Sequence, residues 1–169
     1  MKLFEFTDKL KYKEDYKDRP KNAVIDTIVI HHTGGGSVSG ALEHWMRTDV
    51  AASAHYIIDF SGNVYHVVDD SMSAYHAGES ELNGRRWVNQ FSLGIELLGD
   101  GNSKPFTREQ IESLIELCHT LCSRYNIKVS GIVGHSDVAI PKGRKVDPGK
   151  HFPWSVLREG LSERGIAWE

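Results

Sequence analysis

Cysteine is scarce in this sequence: the chain contains only Cys118 and Cys122. Disulfide frameworks and thiolate zinc sites use more cysteines, at other spacings. The two residues are four apart in a segment with helical apolar periodicity, so their side chains share its buried face. We therefore predict that both are reduced core residues and that no site is built on them.

The chain also lacks an excess of one charge and any long apolar run. Its 20 Lys and Arg residues stand against 23 Asp and Glu residues, which gives no support to nucleic acid or an anionic membrane as a partner. No stretch approaches the length of a membrane span. Residues 1–21 alternate charges of both signs without an apolar run, unlike a secretory signal. We expect a monomer that is cytoplasmic as synthesised.

Phosphate-binding motifs are missing as well. The sequence has neither a G-x-G-x-x-G motif nor a P-loop, so nucleotide chemistry has no support. The length of 169 residues is usual for one domain with a proper core. We divide the chain into a charged N-terminal segment, residues 1–22, and one domain, residues 23–169.

Apolar patterning predicts strands in three regions of the domain. Residues 23–30 are apolar and largely β-branched, which is typical of a strand buried on both faces. Residues 53–60 and 64–68, separated by Ser-Gly-Asn, predict a β-hairpin. Residues 91–98 predict a further strand, interrupted by one glutamate.

Helices are expected between and after these strands. Apolar residues recur at helical spacing from Val38 to Met46. Thr107, followed three residues later by Gln110, forms a capping box that opens the clearest helix, and a last helix is expected to begin near Pro153. Alternating strands and helices predict an α/β fold, a single domain with a central mixed β-sheet flanked by α-helices.

Two of the nine histidines stand apart from the rest. His31 ends the first predicted strand just before Thr33-Gly34-Gly35-Gly36, and His135 follows the short apolar segment Gly131–Gly134. Strand ends next to glycine are where open sheets commonly carry their chemistry. Four others have no suggestive neighbours and are interpreted as surface or packing residues: His44, His66, His119 and His151.

The segment G-R-K-V-D-P-G, residues 143–149, offers a possible third member of a site. Catalytic zinc usually takes three protein ligands from His, Cys, Asp and Glu. Asp147 could join the two histidines, held by the turn that Pro148 and Gly149 fix. In an extended segment Lys145 points to the same side as Asp147. The alternative is a surface Lys/Asp pair beside a turn, with His31 and His135 as ordinary polar residues.

Glu96 is the glutamate that interrupts the strand at residues 91–98. A buried carboxylate without a partner costs several kcal/mol, so it should be exposed, paired or close to positive charge. A zinc site and Lys145 would supply that charge. A glutamate on a solvated sheet face, or one paired with a core arginine, remains the alternative.

Taken together, six motifs resemble one known family. They are I-V-I-H-H-T (28–33), S-A-H-Y-I-I-D (53–59), A-Y-H-A-G (74–78), N-Q-F-S-L-G-I-E-L (89–97), V-G-H-S-D-V-A (133–139) and G-R-K-V-D-P-G (143–149). In this order they resemble the zinc-dependent N-acetylmuramoyl-L-alanine amidases of the type 2, or peptidoglycan-recognition-like, family. The resemblance covers about residues 23–158 and is closest to the AmpD-like branch, which includes cytoplasmic recycling enzymes, their envelope relatives and phage endolysins.

The resemblance implies a role for each residue of the site. It makes His31, His135 and Asp147 the ligands of one Zn²⁺, Glu96 the general base and Lys145 the group that stabilises the tetrahedral intermediate. Many other members have cysteine as the third ligand and a tyrosine before the residue that matches His55. This chain has Asp147 and Ala54 there, as in the AmpD-like branch.

Two further histidines receive roles only from the resemblance. Adjacent strand residues point to opposite faces, and apolar patterning does not choose between His31 and His32. Alignment with the family selects His31 and leaves His32 for packing or support of the ligands. His76 lies in a motif that resembles a groove-lining segment of the family, which implies a substrate contact.

The implied activity is hydrolysis of the amide between N-acetylmuramic acid and L-alanine in peptidoglycan or muropeptide fragments. A peptidoglycan-binding or sensing module without catalysis is the alternative, since members that lack a ligand bind muropeptides without cutting them. Within the enzymatic interpretation, a recycling enzyme and a phage endolysin released to the cell wall through a holin both remain open.

Overall fold

The computed structural model describes residues 1–6, 16–47 and 49–169. In chain order the strands are β1 (Lys2–Glu5), β2 (Tyr16–Asp18), β3 (Thr27–His32), β4 (Tyr56–Ile58), β5 (Asn63–His66), β6 (Met72–Ala74), β7 (Glu81–Leu82), β8 (Arg85–Arg86), β9 (Ser92–Leu97) and β10 (Ile132–Gly134). The α-helices are α1 (Val38–Trp45), α2 (Arg108–Tyr125), α3 (His135–Val138) and α4 (Trp154–Ser162).

The centre of the molecule is a six-stranded mixed sheet with the order β1-β5-β4-β9-β3-β10. Strands β4, β9, β3 and β10 run parallel to one another, and β5 is antiparallel to β4. Two short antiparallel ribbons, β2 with β6 and β7 with β8, lie outside this sheet. The predicted mixed α/β sheet and the predicted hairpin are thus confirmed.

Helix α2 covers one face of the sheet. It begins at the predicted capping box, in which the Thr107 side chain accepts from the Gln110 amide and Gln110 accepts from the Thr107 amide. It ends at Asn126, which adopts the left-handed conformation (φ 55°) common after a helix. Its apolar side packs with α4 and the sheet in the largest core cluster, which also contains Cys118 and Cys122 as free buried thiols, as predicted.

Strand β9 shows how the other face of the sheet differs. Leu93, Ile95 and Leu97 point into the core beneath α2. Because side chains alternate along a strand, the residues between them, Ser92, Gly94 and Glu96, face the opposite side. This polar stripe runs down the centre of the sheet and ends at its carboxyl edge, where it forms part of the candidate site.

The first strand of the domain is shifted from its predicted position. It was expected over residues 23–30 but spans Thr27–His32. Its ladder with β9 begins where Thr27 pairs with Ser92 and continues until His32 pairs with Leu97. The partner strand therefore sets the bounds, and both histidines belong to the strand itself.

The N-terminal segment that the sequence analysis set apart is partly built into the sheet. Strand β1 pairs in parallel with β5, and β2 pairs with β6. Arg19 donates to the carbonyls of Asp70, Asn89 and Ser92. Residues 7–15 of the predicted segment 1–22 lie outside the described residues. Within the described residues, none of the helices is both long and apolar enough to cross a membrane.

Candidate metal centre

Three parallel strands deliver polar side chains to one edge of the sheet. His31 of β3 pairs directly with Glu96 of β9, and His135 follows the last residue of β10 as the first residue of α3. The carboxyl ends of parallel strands meet at the same edge, so these side chains converge. They line a cleft of about 620 Å³, together with Lys145 and Asp147.

His31, His135 and Asp147 form a tight triangle in this cleft. His31 Nδ1 lies 3.0 Å from His135 Nδ1 and 3.1 Å from Asp147 Oδ2. The distance between His135 Nδ1 and Asp147 Oδ2 is 2.9 Å. Atoms bonded to one tetrahedral Zn²⁺ at about 2.0–2.1 Å lie about 3.3 Å apart, close to these separations. All three residues are buried. The side chains predicted as ligands are therefore positioned to bind a metal ion.

The protonation of the side chains that form the triangle also favours the binding of a metal cation. His135 Nε2 donates to the Ala77 carbonyl at 3.1 Å, so the neutral ring directs the lone pair of Nδ1 into the triangle. Burial lowers the pKa of His31 to about 4 despite its contact with Asp147. Burial alone would raise the pKa of Asp147, but the neighbouring side chains of His135 and His31 lower it below its usual range. Two imidazole nitrogens and a carboxylate oxygen are a suitable donor set for a divalent metal.

Glu96 borders the same cleft as the triangle. The residue is half-buried, but its Oε2 is fully enclosed and has no hydrogen-bond partner among the described residues. Burial, with a smaller contribution from the negative charge of Asp147, raises the pKa of Glu96 to about 8, and Lys145 opposes this shift. Burying a carboxylate oxygen without a hydrogen-bond partner costs free energy. A role for Glu96 towards a molecule bound in the cleft would explain why this cost is retained.

Close backbone packing holds the turn that carries Asp147. Gly149 has a φ of +97°, and a Cβ at this position would overlap the backbone of Gly101. Gly101 likewise leaves no room for a Cβ against the Pro148 carbonyl. The Asp147 carbonyl accepts from the Ser136 amide at 3.0 Å, which ties the carboxylate ligand to the helix that begins with His135.

Lys145 lines the same cleft as Asp147, and its predicted role stays a prediction. Among the described residues it has no hydrogen bond or ion pair. Its neighbour Arg144, which the sequence analysis did not single out, donates to the carbonyls of Ile140 at 2.8 Å and Glu79 at 2.7 Å. Arg144 thus fixes the backbone next to Lys145 while the ammonium group remains available to a ligand.

His76 lies behind His31. It is buried, and its Nδ1 lies 3.0 Å from His31 Nε2. Its Nε2 contacts Ser92 Oγ at 3.1 Å. Although His76 borders the cleft, both of its nitrogens are engaged within the protein. The substrate contact expected from the resemblance stays a prediction, and the geometry favours support of His31.

The other histidines fall into distinct environments. His32 points away from the triangle and accepts from the Gly101 amide through Nδ1 at 2.9 Å, which agrees with its predicted supporting role. His44, interpreted as a surface residue, is exposed at the rim of the cleft. His66, at the end of β5, contacts Asp70 four residues later and Glu5 of β1. A local sequence pattern does not reveal the second partner, because Glu5 lies about 60 residues away.

The fold and these side chains define an α/β protein with a candidate metal centre at the carboxyl edge of its sheet. The sequence profile of the family described as N-acetylmuramoyl-L-alanine amidase matches residues 20–150. The chain therefore belongs to the N-acetylmuramoyl-L-alanine amidase family, and the family predicted from the six motifs is confirmed.

Individual relatives point to the AmpD-like branch. The 1,6-anhydro-N-acetylmuramyl-L-alanine amidase AmpD of Haemophilus influenzae is 37% identical over 157 residues, which cover 82% of this chain and 84% of that protein. AmiD of Escherichia coli, an N-acetylmuramoyl-L-alanine amidase, is 35% identical over 160 residues, or 85% of this chain and 55% of AmiD.

Solved structures agree with the fold. AmiD of E. coli in complex with the substrate anhydro-N-acetylmuramic acid-L-Ala-D-γ-Glu-L-Lys superposes with a TM-score of 0.71 and 28% identity, covering 92% of this chain and 67% of that one. The endolysin LysCS of Clostridium intestinale superposes with a TM-score of 0.72 over 95% of both chains. At 24% identity, this second likeness shows the fold alone.

Proposed function

We propose that this protein is a zinc-dependent amidase that hydrolyses the bond between N-acetylmuramic acid and L-alanine in peptidoglycan or its muropeptide fragments. The observation that carries the proposal is the convergence of three ligand atoms, 2.9–3.1 Å apart, in an open cleft. Beside them lies Glu96, whose Oε2 has no hydrogen-bond partner among the described residues. Family membership supplies the substrate class, since the relatives named above are amidases of this type.

His31, His135 and Asp147 would hold the zinc ion. Two nitrogens and one oxygen match the composition of catalytic zinc sites, which keep their fourth position open. When bound, zinc lowers the pKa of water toward about 7 and polarises a carbonyl oxygen. The cleft on the open side of the triangle gives a substrate amide access to the same place.

Glu96 would move the proton. Its Oε2 has no competing partner among the described residues. The positive charge of a bound zinc ion would lower the raised pKa of Glu96, so the ionised carboxylate would be available to accept a proton from the attacking water. The same carboxyl group can then donate that proton to the leaving nitrogen of L-alanine. General acid–base catalysis of this type contributes about 10²–10⁴-fold in rate.

Lys145 would stabilise the charge that develops on the scissile carbonyl oxygen. Its ammonium group borders the same cleft as Glu96 and Asp147, and Arg144 fixes the adjacent backbone. A fixed cation gains most where negative charge appears in the transition state. A binding module without catalysis would need neither this lysine nor Glu96, so their presence beside the triangle favours an enzyme.

The proposal is tested by incubating the purified protein with peptidoglycan and, in parallel, with a 1,6-anhydromuropeptide. We expect the release of stem peptides with an L-alanine N-terminus, detected by mass spectrometry. Chelation of the metal should abolish this release, and addition of zinc should restore it. The relative rates on the two substrates separate a recycling enzyme from a wall-degrading one. If neither substrate yields such peptides when zinc is restored, the amidase proposal is wrong.

A further inference from the structure

Both histidines of the triangle are held from behind by one short segment, His76-Ala77. His76 Nδ1 lies 3.0 Å from His31 Nε2, and the Ala77 carbonyl accepts from His135 Nε2 at 3.1 Å. Two adjacent residues therefore contact the far nitrogens of two ligands that are 104 positions apart in the chain. The segment itself is anchored, because the Ala77 amide donates to Asn89 Oδ1 at 2.8 Å.

The hydrogen on His76 can be assigned from its partners. The Ser92 hydroxyl donates to the Val88 carbonyl at 2.7 Å, and a carbonyl can only accept. Ser92 Oγ therefore has only lone pairs to offer His76 Nε2, 3.1 Å away. It follows that Nε2 of His76 carries the hydrogen and that Nδ1 of the neutral ring is an acceptor.

This assignment determines the state of His31. Because His76 Nδ1 accepts, His31 Nε2 must donate to it. His31 Nδ1 is then the nitrogen with the free lone pair, and this is the atom that meets His135 and Asp147 in the triangle. The contacts behind the ring thus set the tautomer that a metal ion bound in the triangle would need, with a free lone pair on Nδ1.

The sheet is shaped to accommodate His76. A Cβ on Gly94 would overlap the His76 ring, so only glycine at this position lets the imidazole lie against β9. The ring is buried among His31, His55 and Ser92. Ser92 and Gly94 thus complete the polar stripe that leads to Glu96, and each has a distinct part in placing the ring.

We propose that His76 is a positioning residue for the metal centre: through a directed chain from Val88 and Ser92 it fixes the tautomer and orientation of His31. The inference rests on the proposed zinc site and not on the identity of the substrate. Partners of this type commonly change metal affinity by about 10–100-fold when they are removed. A substrate-contacting His76 would instead alter the KM and leave zinc affinity unchanged.

The experiment uses two variants of nearly equal shape. His76→Asn can place an amide oxygen where Nδ1 lies, whereas His76→Leu fills the same space without an acceptor. Zinc affinity is measured on the purified apoproteins by competition with a chromophoric chelator, after circular dichroism has shown that they are folded. We expect His76→Leu to bind zinc at least about tenfold more weakly and His76→Asn to stay within about threefold of the unaltered protein.

A second readout follows the His31 ring directly. In ¹⁵N spectra of the metal-free protein, the hydrogen of His31 is expected on Nε2 in the unaltered protein, and the form with the hydrogen on Nδ1 is expected to gain population in His76→Leu. The inference is overturned if His76→Leu keeps full zinc affinity, or if the Asn and Leu variants lose it equally. If His76→Leu does not fold, Ser92→Ala replaces it, and an unchanged zinc affinity of that variant would also overturn the inference. A failure of the unaltered protein to bind zinc would overturn the proposed function together with it.

Discussion

Two buried polar clusters in this protein differ in whether the oxygens of a buried carboxyl group are hydrogen-bonded. The first surrounds Asp70. Its Oδ1 accepts from the Tyr56 hydroxyl at 2.7 Å, and its Oδ2 accepts from the Tyr125 hydroxyl at 2.8 Å and from Arg124 at 3.2 Å. Burial alone would raise the pKa of Asp70, but contacts with His66 and the two tyrosines lower it to about 2.

The second cluster is the triangle of His31, His135 and Asp147. Its acceptor atoms face one another at about the spacing of ligands around a single metal ion, and Glu96 beside them has an enclosed oxygen without a partner among the described residues. Buried polar groups in folded proteins are normally satisfied. The contrast indicates that Asp70, whose two oxygens are both hydrogen-bonded, serves stability, whereas Glu96 and the triangle beside it serve function.

The same substitution in both clusters gives the largest expected contrast. Asp147→Asn removes a charged ligand from the triangle, and we expect a loss of amidase activity below detection. Asp70→Asn should leave the turnover of the folded protein unchanged. Product release from peptidoglycan, normalised to folded protein, measures both. Comparable activity of the two variants would contradict the division of roles.

A smaller loss is expected from Glu96→Gln, which preserves shape but cannot accept the proton. The rate should fall by about 10²–10⁴-fold, while zinc content stays at the level of the unaltered protein. Glu159→Gln, an exposed change on α4, is the matched control. Unchanged activity of Glu96→Gln would show that this carboxylate takes no part in the mechanism. Loss of zinc from the variant would instead indicate that Glu96 is a metal ligand.

Lys145→Met should reduce kcat by about 10²–10³-fold, as expected for the loss of one group that stabilises an oxyanion. Because the ammonium group acts on charge that develops during the reaction, we expect little change in KM. Lys142→Met, three residues away and exposed, serves as the control. A change confined to KM would make Lys145 a residue for substrate binding and not for catalysis.

The smallest effect is expected on stability and belongs to the Asp70 cluster. The pKa of Asp70 in the folded protein, about 2, is below that of an unfolded aspartate, about 3.9. Its contribution to the free energy of unfolding is therefore present above about pH 4 and is lost as the pH falls toward 2, with a size on the order of 2 kcal/mol. Urea unfolding of the unaltered protein and of Asp70→Asn should show a difference at pH 7 that shrinks below pH 4, and a difference independent of pH would contradict this account.

Local patterns predicted much of the fold but not how distant segments meet. The capping box at Thr107 and the apolar strand at β9 follow from nearby residues, so their positions were anticipated. The pairing of β1 with β5 joins segments about 60 residues apart, and the charged composition of residues 1–22 gave no sign of it. For the same reason the Asp70 cluster, assembled from β4, α2 and a loop, was not foreseen.

The candidate site was predictable where one short motif contains both a metal-binding residue type and a signal for its place in the fold. His31 and His135 each end a strand next to glycine, and Asp147 sits in a rigid turn, so spacing and the family resemblance together named the triangle. Their roles in catalysis stay predictions. The contacts that hold His31 from behind were not predicted. Ser92 and Gly94 take part in them only because the folded chain places the His76 ring against both residues. Their alternation with apolar residues in β9 was the one available signal.

The zinc content of the purified protein tests the central claim most directly. Native mass spectrometry, after removal of all metal and addition of one equivalent of Zn²⁺, should show one zinc per chain for the unaltered protein and for Asp70→Asn, and none for Asp147→Asn. Zinc bound equally by all three proteins, or by none of them, would contradict the assignment of the His31, His135 and Asp147 triangle as the metal centre.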